Sequence, residues 1–327
     1  MIDGQKSMDL RRLGEEARQY RLAKHIASYQ ERAKELLDEL EKLDVLPCKA
    51  NEISILTGGS VNYCTGSYGG DYGRCFLKVS PGTTEANFYR HSMAGQIRAQ
   101  GAFFSTPDCK FIANASDFSV LSFEWVDNWS EEKCPRLDQI RIAGLAEYHY
   151  ANRVFGKFHK LSGIPCHRLS VRESSLSILE ARSVDNSILE DQRLVVRDWR
   201  LIEEVMRDLP ITLNVRDSGR SNVVVDGGRV VLIDNGATHY APIGFDLWSY
   251  VIGYNDIWSG ADEVLSSYFD AVPMHREYLS YKAIKSSCVG AACIMGLDAF
   301  LKHVKYINDK KVHNLQKAAF RLFEEYR

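Results

Sequence analysis

The sequence has no Cys-x-x-Cys pair, no block of like charge, no low-complexity tract and no run of about 18 apolar residues. Each absence removes a class of protein. The eight cysteines read as scattered reduced thiols, and Cys288 and Cys293, in an apolar segment, as packed side chains. Cys166 and His167 are adjacent, but no further ligand stands at zinc-site spacing. Without a long apolar run, no membrane span is expected. The first thirty residues are charged and lack an apolar segment, so no secretory leader is read there and a cytoplasmic location is expected. Lys and Arg total 41 against 43 Asp and Glu, a net charge of −2, which gives no field for nucleic acid or a membrane surface.

What remains is an ordinary globular composition. The 327 residues are 45% hydrophobic and 26% charged, enough for one large or two medium domains. Residues 1–8 read as a loose terminus. From Asp9 to Leu43 apolar residues recur at helical spacing, among them Leu13, Ala17, Tyr20, Ala27, Ala33, Leu36, Leu40 and Leu43. A helix or helix pair is expected, packed on the main body or making a dimer contact, and ended by Pro47. From Ile53 to Val79 the pattern is strands and turns. TTEANFYRHSMAGQIRAQ reads as a helix with Thr83 or Thr84 as its cap, and VLSFEWVDNW as a strand running into a linker. From Leu137 helices dominate, including RIAGLAEYHYANRVFGKFHKLSG and IKSSCVGAACIMGLDAFLKHVKYIN. The expected fold class is α+β. A helical extension (1–48) precedes a small β-rich lobe (49–127) and a larger helical lobe (128–327), with a cleft between the lobes.

One stretch of the helical half is different: LNVRDSGRSNVVVDGGRVVLIDNGATHY, Leu213 to Tyr240. Val223–Val225 and Val230–Ile233 read as two strands, joined by the turn signal Asp226-Gly227-Gly228. Such a hairpin returns Asp234 to the neighbourhood of Asn222, with Asp217 on the loop before it. Asn and Asp are hard oxygen donors suited to Mg²⁺.

Phosphoryl transfer from a nucleotide needs backbone over the phosphates, a cation on them, metal ions bridging them and a group to orient the acceptor. Thr57-Gly58-Gly59-Ser60 supplies a glycine pair whose amides can approach phosphate closely, although glycine pairs usually only make turns. Lys78 sits in the apolar strand FLKV, where a lone ammonium is costly without a partner, and Glu85 in the next helix is a candidate partner. Asp217 and Asn222 have D-x-x-x-x-N spacing, and Asp234 follows a hairpin. Taken singly, each residue has a bland reading as a turn, strand or cap residue. In this order, together, they do not.

The chain resembles the protein-kinase-like superfamily, in its aminoglycoside phosphotransferase and choline kinase branch, over about residues 50–250. LNVRDSGRSNVVVDGGRVVLIDNG is similar to that branch's catalytic hairpin. GFDLWSYV resembles the helix whose aspartate, here Asp246, ties the catalytic loop down. FEWV resembles the adenine-binding hinge. GKFHKLSG, 156–163, resembles the L-x-x-L-H helix end upstream of the loop. The resemblance implies a bilobal kinase-like fold and an ATP-dependent kinase, with GTP as an alternative donor and Mg²⁺ as cofactor. It implies that Gly58, Gly59 and Ser60 cover phosphates, and that Lys78 binds them with Glu85 as its partner. The backbone at Glu124 and Val126 would hold adenine. Asp217 would orient the acceptor hydroxyl, and Asn222 and Asp234 would bind metal. The acceptor would be a small-molecule or glycan hydroxyl; alternatives are protein Ser/Thr, or a pseudokinase that binds without catalysis.

Three positions depart from the pattern. Val215 stands where the branch has a histidine, Gly219 where it often has another, and Asn235 occupies the middle of Asp-x-Gly. Arg220 is a candidate charge near the γ-phosphate or a solvent-facing residue. The acceptor region, about 165–200 and 250–300, offers Tyr254, Asp256, Trp258, Asp262, Glu263 and Tyr268. This aromatic-acidic mix would suit a cationic ligand, but aromatics scattered over helices are more often core.

Overall fold

In the computed structural model the described residues are 4–58, 62–71, 73–90, 104–115, 118–127, 134–153, 209–215, 218–252, 261–277 and 279–302, with isolated positions between 166 and 207. The N-terminal pattern forms a helix pair, α1 (Gly4–Leu22) and α2 (Ile26–Lys42). The first helix begins at Gly4, inside the stretch expected to be loose. Both helices stop by the same device, a residue in left-handed backbone: Lys24 at φ 61° and Asp44 at φ 55°. The amide of His25 then reaches back to the Tyr20 carbonyl, and that of Val45 to the Leu40 carbonyl, as in a Schellman cap. The second helix therefore ends before Pro47 and without its help.

Next come β1 (Ser54–Leu56), β2 (Cys64–Gly70), β3 (Gly73–Pro81), α3 (Thr84–Arg90), β4 (Phe104–Ser105), β5 (Cys109–Ala115) and β6 (Phe118–Glu124). Five of these strands form an antiparallel sheet in the order β1-β2-β3-β6-β5. Strand periodicity decides what each face does. Cys75, Leu77 and Val79 of β3 and Phe118 and Val120 of β6 share a core with Leu10, Ala17, Tyr29, Ala33, Leu36, Leu37 and Leu40 of the helix pair. The helix pair thus braces one face of the sheet. Leu121 and Phe123 point the other way, into a second core. Lys78, opposite Leu121 in register, points there too.

The C-terminal half contains α4 (Pro135–Ala151), β7 (Ile211–Asn214), β8 (Val223–Asp226), β9 (Arg229–Leu232), β10 (His239–Pro242), α5 (Gly244–Ile252), α6 (Ala261–Ala271) and α7 (Tyr281–Lys302). Helix α4 stops at Ala151, short of the Gly163 end expected from sequence, and Arg153 bridges to Thr212 of β7. The hairpin is present, β8 pairing with β9 in the register Val223↔Leu232 to Asp226↔Arg229. Gly227 (φ 57°) and Gly228 (φ 84°) form its turn, the double positive φ that a two-residue turn requires. Strand β4 pairs in parallel with β9, making a three-stranded sheet β4-β9-β8. The architecture is mixed α+β, with strands predominating toward the N-terminus after the helix pair and helices toward the C-terminus. Among the described residues, no helix is long and apolar enough to cross a membrane.

Candidate active site

Lys78 projects from the centre of β3 and is 4% exposed. Its Nζ lies 2.7 Å from Glu85 Oε2 and 2.8 Å from Asp234 Oδ1. Glu85 reaches it from the first turn of α3, and Asp234 from just beyond β9. Three separate elements therefore converge on one ammonium. Burial works against the charge of Lys78, but the two carboxylates outweigh it and hold the lysine pKa above its ordinary value. Burial raises the Glu85 pKa, and the lysine only partly opposes this. For Asp234 the burial effect is overcome by Lys78 and by the Gly236 amide, so its pKa is lowered and the carboxylate stays ionised.

The Asp-Asn-Gly turn explains the lock between hairpin and helix. The Asn235 amide donates to Glu85 Oε1 at 3.2 Å, and its side-chain amide donates to Tyr89 Oη at 3.1 Å and to the Leu232 carbonyl at 3.3 Å. Asn235, which departs from the expected pattern, is fully buried and fixes the position of its neighbour. The Gly236 amide donates to Asp234 Oδ1 at 3.1 Å, and a Cβ on Gly236 would come within 3.2 Å of that oxygen. The second Asp234 oxygen has no protein partner among the described residues, and the side chain is 36% exposed. An ionised carboxylate with one oxygen open suits a hard cation. The hairpin brings Asn222 alongside, its carbonyl accepting from the Ile233 amide at 3.0 Å. Asn222 and Asp234 thus lie at one end of the same ladder, and an amide and a carboxylate oxygen are the donor types that Mg²⁺ takes.

Asp217 lies outside the described residues, but the chain on both sides of it is pinned. The Val215 amide donates to Asp246 Oδ2 at 2.7 Å. Ser218 Oγ donates to the Asp246 carbonyl at 2.6 Å, and the Ser218 carbonyl accepts from Tyr250 Oη at 3.0 Å. Asp246 and Tyr250 both belong to α5. Asp246 ties down the loop, as the resemblance implied. Val215 itself is fully buried in the core.

His149 was not singled out from the sequence. It lies at the end of α4, fully buried, with Nε2 3.0 Å from Asp246 Oδ2 and Nδ1 3.1 Å from Tyr268 Oη. With Nε2–H donating to the carboxylate, Nδ1 accepts from the Tyr268 hydroxyl. A signal was available: Leu145-Ala146-Glu147-Tyr148-His149 fits L-x-x-L-H apart from Tyr148. That pattern was instead placed on 156–163, which lies outside the described residues.

Arg220 does not face solvent. It is 5% exposed, and its Nε and Nη2 form a two-point contact with the Asp138 carboxylate of α4. Arg141 also holds Asp138, at 2.7 Å, and donates through Nε to the Val223 carbonyl at 2.9 Å. Asp138 and Arg141 are both fully buried, and sequence reasoning passed over both.

The remaining candidates are less gathered. Gly58 is described, while Gly59 and Ser60 lie outside the described residues. The Glu124 amide donates to the Asp108 carbonyl at 2.8 Å, and Glu124 Oε1 accepts from the Asp108 amide at 2.9 Å. That amide is thus already engaged. Val126 lies two residues past the end of β6, beyond the ladder. Tyr268 is fully buried against His149 and His275 and belongs to the core, while exposed Asp262 bonds Tyr281. Tyr254, Asp256 and Trp258 lie outside the described residues.

No protein-family model and no curated protein sequence matches this chain. Solved structures do match. An aminoglycoside 2'-phosphotransferase mutant in complex with GDP aligns at 13% identity with a TM-score of 0.59, over 89% of this chain and 98% of its own. A choline/ethanolamine kinase family protein from Mesorhizobium loti aligns at 14% identity and TM-score 0.57, over 91% of this chain and 94% of its own. A spectinomycin phosphotransferase in complex with ADP and spectinomycin aligns at 14% identity and TM-score 0.52, over 84% and 88%. The fold of this chain is thus similar to that of solved aminoglycoside phosphotransferases and of a choline/ethanolamine kinase family protein.

Proposed function

We propose that this chain is a nucleotide-dependent phosphotransferase that moves the γ-phosphoryl group of ATP, with GTP as an alternative donor, to a hydroxyl of a small molecule or glycan. The observation that carries this reading is the buried Lys78 ammonium, gripped by Glu85 and Asp234 from two other elements. The nucleotide complexes among similar structures, with ADP and with GDP, support the donor. The nucleotide would lie between a 49–127 unit and a 128–327 unit, in a cytoplasmic protein.

In this mechanism Lys78 neutralises the α- and β-phosphates, and Glu85 keeps its ammonium aimed at them. Asn222 and Asp234 would hold Mg²⁺, which when bound neutralises charge on the phosphate oxygens. Asp217 accepts the proton of the acceptor hydroxyl. The hydroxyl oxygen bonds to the γ-phosphorus as the bond to the β–γ bridging oxygen breaks, and the nucleoside diphosphate leaves. Asp246, His149 and Arg220 are positioning residues: they hold the chain on either side of Asp217 to helices α5 and α4.

Calorimetric titration of ATP and GTP, with and without Mg²⁺, tests the reading in wild type, Asp234→Ala and Asp217→Asn. Mg²⁺-dependent binding is expected in wild type and lost in Asp234→Ala. Asp217→Asn should bind nucleotide normally and lose transfer to hydroxyl acceptors. Wild type that binds neither nucleotide would overturn the proposal. Binding without transfer to any acceptor, protein serines included, would replace it with a non-catalytic binding module.

A further inference from the structure

The N-terminal helix pair does more than cover the sheet. Arg21, in the last turn of α1, is 7% exposed and turns inward. Its Nη1 donates to the Gly58 carbonyl at 3.2 Å, and its Nη2 donates to the Asn62 carbonyl. One guanidinium therefore grips both ends of the glycine-containing connection between β1 and β2. The grip is itself supported. Arg21 packs over the Tyr29 ring at 5.2 Å, and Tyr29 Oη donates to the Leu56 carbonyl at 2.8 Å. Thr65 Oγ1 donates to the Gly58 carbonyl at 3.1 Å, and Ser80 Oγ donates to Asn62 Oδ1 at 2.9 Å.

The chemistry of this contact is unusual for a structural arginine. A buried guanidinium normally meets a carboxylate, because neutral oxygens satisfy its donors without cancelling its charge. Among the described residues no carboxylate forms an ion pair with Arg21. Among the described residues its donors are met by neutral oxygens, the Gly58 and Asn62 carbonyls and the Tyr29 hydroxyl. The guanidinium draws these two carbonyls toward itself and places a positive charge beside both described ends of the connection, a potential that favours an anion there.

We infer that Arg21 is a positioning residue for the nucleotide, supplied by the N-terminal helix pair to hold Gly58 and Asn62 in place at the donor-phosphate side of the site. The inference rests on the nucleotide-binding reading above and adds to it a residue from outside the 50–250 span of the resemblance. It makes the helix pair part of the donor site.

The experiment compares affinities for a nucleoside diphosphate and for its nucleoside. ADP and adenosine, with GDP and guanosine in parallel, are titrated by calorimetry into full-length wild type, Arg21→Met and Arg21→Lys. The methionine keeps the packing against Tyr29 and removes both hydrogen bonds and the charge. Its ADP affinity is expected to fall about tenfold, the size of losing charge-assisted bonds that order the loop, with the nucleoside affinity unchanged. Arg21→Lys keeps the charge but reaches one carbonyl at a time, so it should fall between the two. Equal loss for nucleoside and diphosphate would reduce Arg21 to a general stabiliser and overturn the inference, as would no loss at all. If the methionine variant fails to fold, the lysine variant decides by the same ratio. Wild type that binds no nucleotide removes the reading underneath, a result distinct from either of these.

Discussion

Lys78 keeps its charge where a lone ammonium would lose it, because two carboxylates meet it from different elements. His275 is in the opposite position. It is fully buried, stacked on Tyr268 at 4.8 Å between ring centroids, and donates through Nε2 to the Ala146 carbonyl at 2.7 Å. Burial pushes its pKa down to about 4, with the neighbouring Arg153 guanidinium acting in the same direction and the Ala146 bond opposing it only in part. The unfolded chain, with an ordinary value near 6.5, takes up this proton first. The stability that depends on neutral His275 is therefore complete above pH 6.5 and is lost as pH falls toward 4. The lost contribution should total about 3 kcal/mol. Urea unfolding of wild type and His275→Gln from pH 4 to 8 measures it as a stability difference that is flat above 6.5 and shrinks below. A difference independent of pH would show that His275 titrates normally. At this scale the sequence was legible where order carried information. Lys78, Glu85 and Asp234 stand in the order that phosphate chemistry needs, and they meet. Asp138 was illegible because it looks like an ordinary helix residue until its partner, Arg220, is brought from far along the chain, whereas His149 carried a signal blurred by Tyr148 in place of the pattern's second leucine.

Among the elements, α4 backs up the direct hold that α5 has on the chain at either side of Asp217. Its Asp138 takes a two-point contact from Arg220 while Arg141 holds the same carboxylate. Its His149 reaches Asp246 on α5. Asp138→Asn would leave two buried guanidinium groups around a neutral amide. The expected cost is about 3–5 kcal/mol, because the desolvation of the arginines remains while their attraction is gone. A urea unfolding midpoint within error of wild type would remove this cluster from the stability of the fold. The hairpin was readable to within a residue, since valine runs around Asp-Gly-Gly have few other solutions. Helix ends were read less well. Pro47 looked like the stop, but the chain turns at Leu43–Asp44 through left-handed backbone at an aspartate, which composition does not announce.

For the whole molecule, the N-terminal helices are part of the core. Tyr29, Ala33 and Leu40 are fully buried against the same sheet face as Leu77, Val79 and Val120. Each large apolar side chain buried there contributes about 1.5–3 kcal/mol, so several together approach the whole stability of a domain. A chain starting at residue 49 should show no cooperative thermal transition by calorimetry, and an intact transition would make the helix pair an independent appendage. The sequence left this open, because an Ala-rich amphipathic stripe does not say which surface it meets.

The short strand β4 has a mechanical consequence. It leads through Thr106 to Asp108 into β5, and it also lies in parallel beside β9. The five-stranded sheet is thus joined to the β8–β9 hairpin by this ladder, besides the contacts of Lys78 with Asp234 and of Glu85 with Asn235. Any displacement that separates Lys78 from Asp234 must therefore also shear the Phe104–Ser105 ladder, so sheet and hairpin are expected to respond to load as one piece.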